Sequence, residues 1–301
     1  MNSLSVPLKR ERPFAVKLAA RLKAYWVLTK NLQTGLLLAT ATAGYVSGCC
    51  LNLAAGSLLG MLGSMFLAVS GSTALNMVFD RDIDAQMRRT AARPLPSGRV
   101  SAREGLALGL LLTAGGLAWA AALDARYALV VLAGVFLDVV VYTLLLKRRT
   151  PYSILIGGLA GGMPALAGRV LATGRVDSIG LLLALGVLLW IPTHILTFSM
   201  KYSADYARAG VPVFPGIYGV SATRRVIAAS TALAVFVLYS AGRLIGLPPA
   251  HLGGLGLLGL LLAGLAAGSL LRPRPALNFA LYKGASIYML AAMVLMIAGG
   301  I

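Results

Sequence analysis

Acidic residues are scarce in this 301-residue chain, so their positions are informative. Only nine are present, and three of them, Asp80, Asp82 and Asp84, lie close together. Asn76, Asp80 and Asp84 are spaced four residues apart. A continuous helix would present these three on one face, about 6 Å apart along its axis, with Asp82 on the opposite side. Such a row of oxygen-bearing side chains suits Mg²⁺, which often bridges a carboxylate to a substrate phosphate.

Spacing alone leaves two interpretations of this row open. In the first, Asp205 completes a metal site from a second loop, and the arginine-rich segment that starts at Arg81 binds the phosphate, since arginine contacts phosphate in a bidentate way. In the second, the row is an ordinary solvated helix end, where Asp80 and Asp84 pair with Arg81 and Arg88.

The elements that position these residues are apolar helices. The chain is 58% hydrophobic and 12% charged, and residues 36–79 include no charged residue; soluble domains are about 25% charged. Nine apolar segments are long enough to cross a bilayer as helices, at 33–53, 57–79, 105–123, 127–146, 152–172, 179–200, 226–246, 251–271 and 282–300. The sequence therefore predicts an all-α, polytopic integral membrane protein with nine transmembrane helices around a central cavity, and it excludes a soluble fold.

Basic residues predict the orientation of these helices. If the segments alternate in direction, 23 of the 27 Lys and Arg residues fall on one side of the membrane. Basic loops stay in the cytoplasm, so the N-terminus is predicted to be cytoplasmic. The net charge of +18 then reflects topology, and no nucleic-acid partner is expected. Residues 1–30 are predicted to form a basic amphipathic cytoplasmic arm, and residues 31–301 a single transmembrane domain.

Three motifs resemble the UbiA-type superfamily of intramembrane prenyltransferases. Asn76-Met-Val-Phe-Asp80-Arg-Asp-Ile-Asp84 matches its first acidic motif, and Arg93-Pro-Leu-Pro-Ser-Gly98 matches the loop that follows. The stretch from Tyr142 to Lys147-Arg resembles the end of its fourth helix. The resemblance covers about residues 25 to 220 and implies one prenyltransferase domain with nine helices.

Two further segments are similar to the branch of this superfamily that farnesylates heme B. They are Trp190-Ile-Pro-Thr-His194 and the loop from Asp205-Tyr206 to Gly210-Val-Pro212. The second acidic motif of the superfamily reads Lys201-x-x-x-Asp205 and keeps one acid, which argues against the 4-hydroxybenzoate and archaeal lipid branches.

This resemblance implies an enzyme of the cell (inner) membrane whose active site faces the cytoplasm. Its substrates would be farnesyl diphosphate and heme B, its cofactor Mg²⁺, and its product heme O for terminal oxidases. The implied metal ligands are Asn76, Asp80, Asp84 and Asp205, and the implied catalytic residues are Asp80, Asp84, Asp205 and Lys147. The implied substrate-binding residues are Arg89, Arg93, Lys201, His194, Tyr142 and Tyr206.

Two alternatives stay open. Another UbiA-type enzyme, acting on a quinone or lipid precursor, would share the first acidic motif. A transporter or channel is favoured by Asp138 in the middle of the fourth helix and by Pro164, because transporters use broken helices and charges at membrane depth. A transport path would spread polar residues toward both faces, whereas this sequence concentrates its acids on one, which favours an enzyme over a transporter. Asp138 is expected either to be protonated and hydrogen-bonded or to line the substrate chamber.

Overall fold

The fold is built entirely from helices within the residues that the computed structural model describes, 14–48 and 54–300. The first six are α1 (Phe14–Leu28), α2 (Asn31–Val46), α3 (Ala55–Phe79), α4 (Arg81–Gln86), α5 (Ala102–Leu123) and α6 (Ala125–Val135). After α6, the chain continues directly as a π-helix over Phe136–Leu146. The remaining helices are α7 (Ser153–Thr173), α8 (Ser178–Lys201), α9 (Ser203–Arg208), α10 (Phe214–Ile245), α11 (Pro249–Leu271) and α12 (Pro275–Gly300).

Eight of the described helical spans are long and apolar enough to cross a membrane, with α6 and the π-helix counted as one. The prediction of an all-α, multi-pass membrane protein is thereby confirmed. The first predicted segment, 33–53, corresponds to α2 but runs on into 49–53, which lie outside the described residues. Nine crossings and a cytoplasmic N-terminus therefore stay predictions.

The N-terminal arm is described only in its second half. Helix α1 exposes the large apolar side chains of Leu18, Leu22 and Trp26, as expected of a helix lying on a membrane surface. Residues 1–13 lie outside the described part of the chain. The division into an arm over 1–30 and one domain over 31–301 stays a prediction.

Small residues let the two central helices, α2 and α7, approach closely. A Cβ atom added to Gly44 would lie 2.0 Å from the carbonyl oxygen of Ala165, and one added to Gly168 would lie 2.0 Å from that of Ala41. Any larger side chain would push the helices apart, which is why helix contacts in membranes favour glycine. Because α2 also packs against α3 and α12, and α7 against α6 and α8, this contact lies at the centre of the bundle.

Four connections, two of which carry acids, lie at one end of the bundle, here called the basic end. It comprises residues 80–101, 147–152, 202–213 and 272–274. Ion pairs join the first two connections, and a hydrophobic cluster of Ile83 and Met87 with Val211 and Val213 joins the first to the third. The first and third connections are about 100 residues apart in the sequence, and the fold brings them into contact.

Candidate active site at the basic end

The predicted acidic row lies on one buried face of the chain. Helix α3 ends at Phe79, and Asp80 takes a non-helical conformation with φ −93° and ψ 0° before α4 begins. The hydrogen-bond ladder nevertheless continues through this break, from Asp80 N–H to Asn76 C=O at 2.9 Å and from Asp84 N–H to Asp80 C=O at 2.8 Å. Asn76, Asp80 and Asp84 are all buried, whereas 55% of the Asp82 side chain is exposed. The four-residue spacing thus produces the shared face that it predicts.

Basic side chains from two different segments neutralise this row. Lys147, just after the π-helix, donates to Oδ2 of Asp80, and Arg93 donates to Oδ2 of Asp84 at 2.7 Å. The alternative pairing of Asp80 and Asp84 with Arg81 and Arg88 is not formed among the described ion pairs. Oδ1 of Asp80 is buried and accepts no hydrogen bond from a described residue. A buried carboxylate oxygen without a donor is costly, so it is a place for a cation or a donating ligand.

Asp138 lies next to the row and organises it. Its Oδ2 accepts hydrogen bonds from the Ser72 hydroxyl and, at 2.7 Å, from the Asn76 side-chain amide. The hydroxyl of Thr143 donates to Oδ1 of Asn76 at 2.9 Å. Both ends of the Asn76 amide are therefore held, and its oxygen keeps one lone pair for another partner. Asp138 is therefore hydrogen-bonded and also lines a cavity, whereas its protonation stays a prediction.

That cavity, here called the main cavity, has a volume of about 330 Å³ and lies among α2, α3, α6, α7 and α8. Its size falls in the range of roughly 300–1,000 Å³ that is usual for small-molecule sites. Apolar groups such as Met65, Val131, Pro164 and Ile191 form much of its wall. The ionisable side chains in its lining are Lys30, Asp138, Tyr142 and His194. The cavity therefore joins an apolar chamber to a polar region beside the acidic row.

Lys30 is a site residue that sequence reasoning missed, because it was assigned to the basic arm. It is the only non-glycine residue with positive φ in the described chain (φ 45°), and it joins α1 to α2. This turn directs its side chain into the lining of the main cavity. Burial, together with the nearby charges of Arg93 and Lys147, lowers the pKa of Lys30 to about 8. Nothing in the local sequence signals a left-handed lysine.

The loop that carries Asp205 and Tyr206 packs beside the row. Asp205 is buried and accepts from the Arg208 guanidinium at 3.3 Å. Tyr206 packs against the cluster that holds Ile83 and Met87 of the acidic segment, and burial raises the pKa of its phenol. The two acidic loops are therefore neighbours, as the two-sided site requires.

Two of the predicted basic residues lie over aromatic rings. The guanidinium carbon of Arg89 is 4.9 Å from the centre of the Phe198 ring, and Nζ of Lys201 is 4.8 Å from the centre of the Phe279 ring. These are cation–π distances. Neither residue forms an ion pair with an acid in the described part of the chain.

His194 is held in an aromatic stack at the wall of the main cavity. Its ring lies 5.1 Å from that of Trp190 on one face and 4.8 Å from that of Tyr282 on the other, with interplanar angles of 16° and 22°. Its Nδ1 is 3.2 Å from the Ser286 hydroxyl. The ring orientation is thus fixed from both faces and one edge.

The acidic row offers individual side-chain oxygens to a divalent ion, although it does not form a complete cluster of metal ligands. Within 14–48 and 54–300, no three side chains of His, Cys, Asp or Glu come together as a metal-binding group. The free buried Oδ1 of Asp80 and the open lone pair of the Asn76 oxygen are nevertheless hard oxygen donors on one face. Mg²⁺ needs only one or two carboxylates when waters and phosphate oxygens supply the rest.

Fold and site together define a multi-pass helical membrane protein whose largely apolar cavity adjoins paired acids and bases. The family model for the UbiA prenyltransferase family matches residues 32–298, and the chain belongs to this family. Two curated relatives are called protoheme IX farnesyltransferase. The one from Korarchaeum cryptofilum is 43% identical over 224 residues, covering 74% of each chain. The one from Thermofilum pendens is 45% identical over 210 residues, covering 70% of this chain and 73% of the relative.

Solved structures share the fold at low sequence identity. A digeranylgeranylglyceryl phosphate synthase gives a TM-score of 0.77 at 21% identity over 95% of this chain and 99% of that one. The apo UbiA homolog from Aeropyrum pernix K1 gives 0.67 at 24%, over 86% and 96%. A UbiA homolog from Archaeoglobus fulgidus bound to GPP and Mg²⁺ gives 0.66 at 15%, over 91% and 99%.

Proposed function

We propose that this protein transfers a farnesyl group from farnesyl diphosphate to a vinyl group of heme B, giving heme O. The observation that carries the proposal is the main cavity, which joins an apolar chamber to a region containing Lys30, Asn76 and Asp138 beside the acidic row. An isoprenoid tail needs such a chamber, and its diphosphate needs charged groups at one end. The acceptor is inferred from the relatives called protoheme IX farnesyltransferase.

The diphosphate would be bound by cations that already surround the row. Lys147 and Arg93 contact Asp80 and Asp84, and Lys30 adds a third positive charge from the cavity wall. Because these groups are preorganised by ion pairs, they stabilise negative charge on the leaving diphosphate without first having to be ordered. Arg89 and Tyr206 stay candidates for further contacts, and Tyr142 packs its ring on Gly157 beside this region.

Mg²⁺ would be held by Asp80 and Asp84, with Asn76 and Asp205 completing the set. When bound, it supplies Lewis-acid assistance to departure of the diphosphate. The unpartnered Oδ1 of Asp80 supports this assignment, and a UbiA homolog from Archaeoglobus fulgidus binds GPP together with Mg²⁺.

The remaining chemistry depends on keeping water away. Breaking the allylic C–O bond releases diphosphate and leaves a farnesyl cation, which hydrolyses in contact with bulk water. The apolar wall of the main cavity excludes that water until the heme vinyl group attacks and forms the new C–C bond. The cation left on the porphyrin side then takes up one water and loses a proton, which gives the hydroxyethyl product. His194 lies on this wall and is proposed to face the heme.

The setting is part of the proposal. We place the protein in the cell membrane with nine crossings and with the basic end in the cytoplasm, since basic loops are retained there. Farnesyl diphosphate, whose diphosphate end is a water-soluble anion, would then enter from the cytoplasmic side.

The test is a transferase assay on membranes that contain the protein. Farnesyl diphosphate and Mg²⁺ are supplied with heme B in one reaction and with an aromatic acid or lipid precursor in others, and products are resolved by mass. We expect a farnesylated, hydrated heme only in the first reaction. If a prenylated quinone or lipid precursor forms instead, heme B is not the acceptor, and the alternative UbiA-type function is correct.

A further inference from the structure

A second cavity lies at the basic end, between the last turn of α8 and the first turns of α12. It has a volume of about 220 Å³ and is here called the side cavity. Its lining includes four aromatic rings and two lysines: Phe198, Tyr202, Phe279, Tyr282, Lys201 and Lys283. The farnesyl transfer described above leaves this cavity without a role.

Positive charge in the side cavity has no internal counter-ion. The four aspartates at the basic end each pair with a different Lys or Arg residue elsewhere. Lys201 and Lys283 form no ion pair with a described residue, and no acidic residue lines the cavity. Their Nζ atoms lie 4.8 and 5.8 Å from the centre of the same ring, Phe279, so both charges contact one aromatic side chain. Two neighbouring ammonium groups without an acid favour a ligand with negative charge.

The cavity also contains an open polar position. Asn278 is 9% exposed, and its side-chain amide donates to the Thr197 carbonyl at 3.0 Å. Its Oδ1 is buried without a donor from any described residue. A buried acceptor normally receives a hydrogen bond. This oxygen can therefore accept one from an ordered water that bridges to a ligand, or from a lysine that moves when a ligand binds.

The side cavity and the main cavity lie on either side of a shared aromatic wall. Tyr282 lines the side cavity, and its ring stacks on His194, which lines the main cavity together with Trp190. A volume of about 220 Å³ is below the range of roughly 300–1,000 Å³ usual for a whole small molecule, so the cavity fits only one edge of a large ligand. A flat ligand anchored there would extend along the aromatic stack toward the main cavity.

We propose that the side cavity binds the carboxylate edge of the acceptor porphyrin, with Lys201 and Lys283 pairing with its two propionate groups. This inference rests on the proposed function, because it assumes a porphyrin acceptor. The rings of Phe279 and Tyr282 contact the apolar edge between the propionates, and the vinyl-bearing side of the macrocycle points toward His194 and the main cavity. Lys201, which the family resemblance assigns to substrate binding in general, then serves the acceptor and not the diphosphate.

Heme binding without turnover tests the assignment. The full chain in lipid nanodiscs is titrated with heme B and with its dimethyl ester, whose propionates carry no charge, and binding is followed by absorbance. We expect Lys201→Gln and Lys283→Gln each to raise the Kd for heme B about tenfold, the size expected for one charge-assisted contact. Lys201→Arg and Lys283→Arg should restore most of the affinity. Arg274→Gln, which removes an exposed charge just before α12, is the matched control and should leave the Kd unchanged.

The dimethyl ester should bind weakly to the wild-type protein. Its Kd should be the same for the wild type and for the two glutamine variants. The KM for farnesyl diphosphate should stay constant in both variants. Equal heme B affinity in wild type and variants, or tight binding of the ester, would overturn the assignment, as would an increase only in the KM for farnesyl diphosphate. An effect confined to nanodiscs with anionic lipid would mean that the lysines bind a lipid headgroup. If wild type binds no heme at all, the proposed function fails as well.

Discussion

The two cavities differ in whether the positive charges beside them are paired with acids. Beside the main cavity, Lys147 and Arg93 are paired with Asp80 and Asp84, whereas in the side cavity Lys201 and Lys283 lie against an aromatic ring without an acid. Paired acids and bases suit a ligand set whose charge changes during the reaction, because a metal ion and a diphosphate bring opposite charges to opposite partners. Unpaired lysines suit an anion that stays bound and unchanged. On these two proposals, the protein would bind the reacting anion and the anchoring anion in separate places.

The largest effect is expected from removing a carboxylate of the row. Asp80→Asn or Asp84→Asn should lower kcat by about 10²- to 10³-fold, the cost of losing one charge-stabilising group at a reacting centre. Heme B affinity should be unaffected, because the side cavity is unchanged. The measurement is steady-state turnover at saturating Mg²⁺, alongside the heme titration.

Asp82→Asn is the matched control for these variants. Its side chain is 55% exposed and pairs with Arg148 on the opposite side of the chain, and such exposed pairs contribute little. We expect near wild-type turnover. Equal losses in all three variants would mean that the buried face has no special role.

An intermediate effect is expected at Asp138, which holds Asn76 in place. Asp138→Asn replaces an acceptor of two hydrogen bonds with a group that can present its amide N–H to Asn76 instead. Loss of such a supporting contact typically costs about 10- to 100-fold in metal affinity or activity. The apparent affinity for Mg²⁺, measured from turnover across Mg²⁺ concentrations, should weaken. If kcat at saturating Mg²⁺ falls while Mg²⁺ affinity is constant, Asp138 acts on the substrate instead.

The smallest effect is a pH dependence at Lys30. Burial and the nearby positive charges lower its pKa to about 8, so its positive charge is present below pH 8 and is lost as the pH rises through that value. Binding of farnesyl diphosphate should therefore weaken several-fold between pH 7 and pH 9. Lys30→Arg keeps the charge over this range and should flatten the pH profile of the KM for farnesyl diphosphate. An identical profile in both proteins would remove Lys30 from the diphosphate site.

Periodicity and hydropathy were sufficient to predict most of the long helices and the acidic face, although α10 and α12 begin 12 and 7 residues earlier than the predicted segments 226–246 and 282–300. The spacing of Asn76, Asp80 and Asp84 specifies their side of the chain, and the backbone ladder preserves it even where α3 ends. Helix boundaries such as 57–79 and 179–200 lie within a few residues of α3 and α8, because lipid requires long apolar runs.

Pairing between distant segments was not predictable in the same way. Asp80 pairs with Lys147 rather than with its neighbour Arg81, since the choice depends on how α3 packs against the π-helix. The position of Lys30 depends on a left-handed residue, and the side cavity depends on α12 packing against α8. Such contacts are tertiary, and a single sequence carries no local signal of them.

The π-helix after α6 determines which way Lys147 faces. Its hydrogen bonds span five residues, as from Lys147 N–H to Tyr142 C=O at 2.8 Å, so each residue turns the chain by less than in an α-helix. With about 100° per residue, as in an ordinary helix, Lys147 would point away from Asp138, nine positions earlier. The wider coil lets both reach the same aspartate–asparagine neighbourhood. Deleting one residue from this stretch would keep a membrane-length helix while turning its terminal ammonium group out of the site.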